Sequence, residues 1–423
     1  MEAFMRLFSR LVILLIVFSF TLTPAQALTL HEALMKAENH PALKSHELNI
    51  QGRQHEAEDA NAVGATSISL SSENLSGSRP GFSHAETSVE IALPISDQRK
   101  IRARKKLAES RIELSRIDLA SARWLIQSQV QRCFHRALTA RVFTEKAEES
   151  IENAQKLVEA ARVMVDAGAV AEQEILQAEL LLRQAEIEFQ SMQGKYQDDI
   201  AELAIAMGME SLENIRIEGS ATVDLELPPA EELELLVMNS HPDIIAKRLE
   251  AEEIRAKLGL IRAENLPGWS ITAGARNFRD ASENDFLIGV TVELPRSRDN
   301  RGERRALKCD LERLAAEQDN RLRELHLQLQ SAMQKFNRLQ EQSKELRDRV
   351  LPAAWQLFEL SLAGYQLGKT DQIVVLQAQK EFLGQKESYL QKLEELYEAV
   401  DFIESLTGPA SANKISAGGV SKE

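Results

Sequence analysis

The sequence contains the same landmarks twice, in the same order and with an offset of 200 or 201 residues. The landmarks of the first and second copies are His40-Pro41 and His241-Pro242, Val89–Pro94 and Val290–Pro295, Gly168 and Gly368, and Leu176–Ala178 and Leu376–Ala378. A repeat constrains the fold more than any local pattern does, because each copy must build the same supersecondary unit. We therefore expect a tandem duplication of one helix–hairpin–helix unit.

The composition favours long helices. Aromatic residues make up only 5% of the 423-residue chain, whereas charged residues make up 27%. This balance is typical of long helices and coiled coils rather than of a thick globular core. The formal net charge of −14 argues against nucleic acid as a partner, because a nucleic-acid binder needs a basic stripe.

Residues 1–27 have the features of a secretory signal. Arg6 and Arg10 give a positive start, Leu11–Phe20 is an apolar run, and Ala25-Gln26-Ala27 has the small-x-small pattern of a cleavage site. The apolar run is too short to cross a bilayer as a helix. We therefore expect a signal peptide over 1–27 and no transmembrane helix in the mature chain.

Residue types that carry chemistry form no recognisable site. Cys133 and Cys309 could pair in an exported protein, but both fall within predicted long helices, so we expect two free thiols. The eight histidines are scattered, without a pair at metal-ligand spacing on a shared face. Triads, phosphate loops and CxxC motifs are missing from the sequence, so we predict no enzyme, no catalytic residues, no metal ligands and no cofactor.

Two stretches have the period-two alternation of amphipathic strands. In the first, Ile68 and Leu70 alternate with serines, and Val89, Ile91 and Leu93 alternate with polar or small residues after a turn-rich loop. This pattern predicts a β-hairpin over about 64–94. A matching hairpin is predicted over about 268–295.

The remainder of each copy has helical periodicity. Apolar residues recur at steps of three and four from residue 119 to 165 and from 322 to 360, which is a heptad seam. Both long helices stop at a glycine, as helices ending in a left-handed cap do. These features predict turns at about 166–174 and 366–372, each followed by another helix.

The expected domain order follows from these elements. The first repeat covers 28–210, a linker with short extended pieces covers 211–228, and the second repeat covers 229–407. The small, polar tail over 408–423 should be disordered. Each long helix is long enough to pair with two shorter helices stacked end to end, which predicts a rod with hairpins at one end and glycine turns at the other.

The hairpins cannot stand alone. A two-stranded hairpin is marginal in water, and four strands are too few to close a membrane barrel, for which eight is about the minimum. Three copies would supply twelve strands and leave no open edge in lipid. The predicted fold is therefore mainly α with membrane β: a trimeric 12-stranded outer-membrane barrel continuing into a long periplasmic α-helical barrel.

At this point the sequence resembles the TolC-type outer-membrane efflux family. The resemblance rests on the turn segments Gly168–Ala178 and Tyr365–Ala378. A further segment, Phe286–Pro295 followed by Asp299-Asn300-Arg301-Gly302, is similar to the branch that serves cobalt–zinc–cadmium exporters. The resemblance implies a homotrimeric exit duct in the outer membrane, with a large periplasmic portion, joined through a periplasmic adaptor to an inner-membrane pump of the resistance–nodulation–division class.

The resemblance also implies roles for individual residues. It assigns adaptor docking to the turn residues Gly168, Ala169, Val170, Glu172, Gly368, Lys369 and Thr370. Glu174 falls where the first turn of the family often has an acid lining the narrow aperture. In the second turn, Val374 and Gln377 occupy positions where the best-known member has carboxylates, and Asp371 is the nearest acid. Glu90 and Glu293, on the polar side of their strands, are expected to face the lumen.

Three functions fit these observations. The favoured one is an exit duct for divalent heavy-metal ions. A duct for type I protein secretion or for small-molecule drug efflux would share the fold and differ in its inner-membrane partner. A periplasmic adaptor would also carry a coiled-coil hairpin, but it would have one such hairpin between β-domains rather than two repeats with membrane-type strands.

Overall fold

The computed structural model describes residues 26–62, 64–75, 85–209, 215–279, 283–294 and 300–408. Most of the predicted signal peptide, the loops of both hairpins and the predicted disordered tail after residue 408 lie outside the described residues. The chain divides into two compact units. Unit 1 contains Met1–Pro41, Ala122–His241 and Leu325–Glu423, and unit 2 contains Ala42–Ser121 and Pro242–Glu324.

Helices dominate the described residues. They are α1 Leu30–Ala37, α2 Leu43–Glu58, α3 Gln98–Asp166, α4 Gln173–Ala206, α5 Ala230–Ser240, α6 Pro242–Glu264, α7 Arg301–Glu345, α8 Leu351–Gln366 and α9 Gln372–Thr407. A π-helical turn, Leu346–Val350, joins α7 to α8. The strands are β1 Gln26–Leu28, β2 Ser67–Glu73, β3 Glu86–Ile95, β4 Ile215–Ile217, β5 Gly268–Phe278 and β6 Glu283–Glu293.

Local sequence signals explain where the first helices begin and end. Thr29 caps α1 through a capping box, in which its hydroxyl accepts from the Glu32 N–H and the Glu32 carboxylate accepts from the Thr29 N–H. α1 ends before His40-Pro41, and α5 ends before His241-Pro242, where Pro242 opens α6. Proline is tolerated in the first turn of a helix but not in its interior, which explains why the helices break at both pairs.

The core of unit 1 forms along the heptad seam of α3. Its buried positions alternate steps of three and four, as the sequence predicts, and small residues let the neighbouring helices approach closely. The buried seam residues are Val130, Cys133, Ala137, Ala140, Ala147, Ala154, Val158 and Ala161. Cys133 is a buried free thiol and Cys309 an exposed one.

One of the extended pieces predicted in the linker forms the strand β4, and its partner β1 was not predicted. Gln26–Leu28 pairs in parallel with Ile215–Ile217. Leu28 and Ile217 are both buried in the core cluster that contains Val130 and Leu203. Cleavage after Ala27 would leave Leu28 as the residue of β1 that remains in the mature chain.

The second long helix is irregular close to Pro352. The disturbance begins earlier, as a π-helical turn over Leu346–Val350, in which the Leu351 N–H bonds to the Leu346 carbonyl. Pro352 has no N–H, and its ring conflicts with the carbonyl four residues before it. The wider π turn relieves that conflict before the proline is reached.

Candidate functional site

The strands of the two predicted hairpins join in one antiparallel sheet within unit 2. The strand order is β2-β3-β5-β6, so that β3 and β5 pair across the two hairpins and β2 and β6 are the outer strands of the described sheet. The register aligns Leu70, Val89, Ala275 and Phe286 in one row across the sheet. Side chains alternate between faces along a strand. All residues an even number of positions from this row on the same strand therefore share its face, and the residues between them lie on the opposite face.

One face of the sheet is apolar and exposed. Ile68 and Leu70 on β2 are each 72% exposed, and Phe286 and Ile288 on β6 are 88% and 87% exposed. Contiguous apolar surface of this kind is rare on proteins surrounded by water and marks contact with membrane or protein. None of the described residues covers this face, so it requires contact with lipid or protein.

The opposite face is polar. Glu90 and Glu293, the two predicted lumen residues, both lie on it, together with Ser71 and Ser88, whose hydroxyls are 2.7 Å apart. Glu90 pairs with Gly274, where a Cβ would come within 2.8 Å of the Glu90 Cγ. The same Cβ would come within 2.5 Å of the Val89 carbonyl oxygen, so the glycine permits close approach of the β3 backbone as well as of the Glu90 side chain.

Two statements concern the part of the chain that the structure describes. None of its helices combines the length and the apolar character that crossing a bilayer requires. Its His, Cys, Asp and Glu side chains form no group of three or more arranged to hold a metal ion.

The two glycine turns in unit 1 have the same backbone geometry. Gly168 has φ 66° and Gly368 has φ 67°. After α3, the Ala169 N–H bonds to the Met164 carbonyl at 2.9 Å, and after α8 the Lys369 N–H bonds to the Gly364 carbonyl at 2.8 Å. This six-to-one bond is the Schellman arrangement, which needs a left-handed residue at its centre. A Cβ at either glycine would meet open space, so backbone conformation and not packing selects glycine.

A hydrogen bond joins the two turns across 191 positions of sequence. The Tyr365 hydroxyl, at the end of α8, donates to Glu174 Oε2 in the first turn of α4 at 2.6 Å. Tyr365 is 1% exposed, and burial together with the bond to Glu174 raises the pKa of its hydroxyl. The tyrosine therefore keeps its proton and acts as donor to the carboxylate.

Gln372 reinforces the same junction from the start of α9. Its side-chain amide donates to the main-chain carbonyl of Glu174 at 2.8 Å, and the side chain is buried. Glu174 is thus held at its carboxylate by one residue of the second turn and at its backbone by another. The family resemblance predicts Glu174 at the aperture, whereas its partners Tyr365 and Gln372 were not predicted.

The other predicted turn residues lie in two settings. Val170 is half-buried against the core around Leu157, and the half-buried Thr370 donates its hydroxyl to the Ser361 carbonyl at 3.1 Å. Asp371 caps α9 by its backbone alone, without a hydrogen bond from its exposed side chain to the helix. The exposed members are Gly168, Ala169, Glu172, Gly368 and Lys369.

A buried polar cluster elsewhere in unit 1 was not predicted. His135 Nδ1 on α3 lies 2.7 Å from Asp401 Oδ1 on α9, and the Gln131 amide donates to Glu404. Burial, with Asp401 nearby, raises the pKa of Glu404 to about 9. Glu404 is therefore a neutral acid at pH 7. Because it carries no charge, it does not repel the Asp401 carboxylate in the same buried cluster.

Comparison with known proteins identifies the family. The model of the outer membrane efflux protein family matches residues 35–209 and again residues 236–409. The chain belongs to the outer membrane efflux protein family, a family of efflux proteins rather than of enzymes.

Individual relatives agree with this assignment. The cobalt-zinc-cadmium resistance protein CzcC of Cupriavidus metallidurans is 28% identical over 327 residues, covering 76% of this chain and 77% of the relative. Among solved structures, CusC superposes with TM-score 0.70 at 15% identity over 90% of this chain and 92% of its own. The outer membrane protein VceC of Vibrio cholerae gives TM-score 0.68 at 17% identity over 90% and 96%. These superpositions show the fold.

Proposed function

We propose that this protein is the outer-membrane exit duct of a tripartite efflux system. Its sheet would form part of a trimeric twelve-stranded barrel, and its helices would form a periplasmic tube. The observation that carries the proposal is the four-stranded sheet with one apolar exposed face and one polar face. In a family of outer membrane efflux proteins, such a sheet suits lipid on one side and water on the other.

Two further features support a trimer. The outer strands β2 and β6 would pair between copies, since three copies of four strands supply twelve and closure leaves no unpaired backbone in lipid. On α4, Leu176, Leu180 and Ile187 are each more than 60% exposed and share one helical face. A helix of a neighbouring copy would bury this face.

The two repeats, 28–210 and 229–407, would then play equivalent parts, with residues 211–228 linking them. Support comes from the family model matching the chain twice and from the equal geometry of the turns at Gly168 and Gly368. A tandem duplication would give each subunit two hairpins and two turns.

The turns would dock a periplasmic adaptor and form the closed end of the duct. The exposed residues Ala169, Glu172 and Lys369 offer small and charged groups to a partner. Glu174 and Asp371 would line the aperture, with Glu174 held by Tyr365 in the closed form. The adaptor would connect the duct to an inner-membrane pump of the resistance–nodulation–division class.

Divalent heavy-metal ions such as zinc, cobalt or cadmium are the proposed cargo. The support is the named cobalt-zinc-cadmium resistance function of the relative CzcC and the similarity of the segment after Phe286 to that branch. Glu90 and Glu293, on the polar face of the sheet, would face the lumen that the ions cross.

Deletion of the gene tests this function. Tolerance to at least one of these metals should fall while pump and adaptor are still produced, and a plasmid copy of the wild-type gene should restore it. Unchanged metal tolerance with lost export of a protein or an organic toxin would instead favour the secretion or drug-efflux alternative.

A further inference from the structure

A short segment of unit 1, residues 217–225, lies across three helices. We call it the strap. Arg141 on α3 donates to the carbonyls of Ile217 at 2.7 Å and Gly219 at 2.5 Å. On the side of α9, the Tyr397 hydroxyl accepts from the Thr222 N–H at 2.9 Å. The strap is thereby fixed to two helices before it reaches the third.

The third attachment lies beside the π-helical turn. The Gln340 side chain on α7 donates to the carbonyls of both Val223 and Leu225, at 3.2 and 2.5 Å. Val223 is fully buried. The last part of the strap is therefore attached to α7 by two hydrogen bonds from the Gln340 amide, and the Val223 side chain is buried there.

An ion pair extends this attachment into the π turn itself. Asp224 Oδ2 accepts from Arg347 Nη1 at 2.7 Å, and Asp224 Oδ1 lies 3.4 Å from Lys344 Nζ. The hydrogen bonds from Arg347 lower the pKa of Asp224. Because the pair is largely exposed, it contributes less than Gln340 and Val223 do. Gln340, Lys344 and Arg347 nevertheless hold the strap from successive turns of one helix face.

The π turn is the place where the second long helix can change direction. A π turn widens the helix and replaces the regular bonding with one from the Leu351 N–H to the Leu346 carbonyl. Pro352 next to it removes one more N–H from the ladder. Kinks of helices concentrate at such points, and α8 beyond it carries Tyr365, the partner of Glu174.

We propose that the π turn Leu346–Val350 is a pivot for α8 and that the strap restrains it. Releasing the strap would free α8 to swing and would loosen the second glycine turn from the first. Only the expected effect on the aperture rests on the proposed function as a duct. The restraint itself is a property of unit 1.

Hydrogen exchange on the full chain in detergent tests the restraint. Gln340→Met keeps the length of the side chain and removes both hydrogen bonds to the strap. The amides of α8 should then exchange about fivefold to 150-fold faster, because two neutral hydrogen bonds are lost. Those in the part of α7 before Gln340 should keep their wild-type rates. Gln334→Met, at an exposed glutamine of the same helix, is the matched control and should change neither.

Two results would overturn the pivot. One is faster exchange of the strap with unchanged exchange of α8. The other is uniform acceleration of α7, α8 and α9, which would mean general destabilisation. If Gln340→Met does not assemble, Asp224→Asn, which alters an exposed side chain, is measured in the same way and should accelerate α8 to a smaller degree; no acceleration there rejects the proposal.

Channel recordings separate this proposal from the duct itself. If wild-type protein conducts in planar bilayers, Gln340→Met should open more often than Gln334→Met, and equal opening would reject the link between strap and aperture. If wild-type protein does not conduct at all, the proposed duct fails while the exchange result for the strap still stands.

Discussion

The bond between Tyr365 and Glu174 offers a direct test of how the two turns are held together. Tyr365→Phe removes one oxygen and leaves the buried ring in place, so that packing is preserved. Hydrogen bonds to charged groups contribute about 1.5–3 kcal/mol. Glu174 is half-buried and would regain water, which places the loss near the lower end. A loss of about 1.4 kcal/mol shifts the equilibrium between joined and separated turns about tenfold per chain.

Hydrogen exchange of the first turn of α4 and of the second glycine turn measures this equilibrium. Tyr365→Phe should accelerate exchange there about tenfold and should raise the open probability of channels in planar bilayers. Tyr196→Phe removes a hydroxyl from the part of α4 remote in sequence from the turns, where Tyr196 packs against the core around Leu203, and should leave both values unchanged. Wild-type exchange and conductance in Tyr365→Phe, together with altered values in Glu174→Ala, would refute the view that this hydroxyl holds the turns closed.

Further predictions concern the turns and the buried acid. Gly168→Val and Gly368→Val should each cost about 1–3 kcal/mol, because a β-branched residue is strained at positive φ, and should weaken adaptor binding in a pull-down assay while far-UV circular dichroism keeps its helical signal. Glu174→Ala should change single-channel conductance or its sensitivity to divalent cations, and wild-type behaviour would remove Glu174 from the aperture. Burial raises the pKa of Glu404 from 4.5 to about 9, so the folded chain keeps a proton that the unfolded chain releases above pH 4.5. The stabilisation from this proton is complete below pH 4.5 and is lost as the pH rises toward 9. Glu404→Gln should therefore flatten the fall in urea midpoint between pH 5 and 9, and an unchanged slope would contradict the buried neutral acid.

Periodic and glycine-based features could be predicted from the sequence because their causes are local. The seam of α3 follows from steps of three and four, and each glycine turn follows from the need for positive φ after a helix. Alternation likewise placed Glu90 and Glu293 on the polar face of the sheet. In each case the residue types and their spacing determine the structure without knowledge of distant partners.

Features that depend on distant partners could not be predicted in the same way. Tyr365 meets Glu174 across 191 positions, and only the packing of α4 against the turn decides that contact. Val223–Leu225 has the composition of a short strand. Two of its carbonyls nevertheless accept hydrogen bonds from the side chain of Gln340, where a strand would accept them from a neighbouring strand. An extended piece was predicted at Ile215–Ile217, but its partner β1 has only three residues, too few for a period to appear, so the pairing of the two was not predicted.

Native mass spectrometry of the detergent-solubilised protein, purified from outer membranes, would show whether three chains form the proposed duct. We expect a complex of three copies whose chains begin at Leu28, because one four-stranded sheet cannot close and three such sheets supply the twelve strands of a barrel. A stable monomer that remains soluble in water without detergent would contradict it.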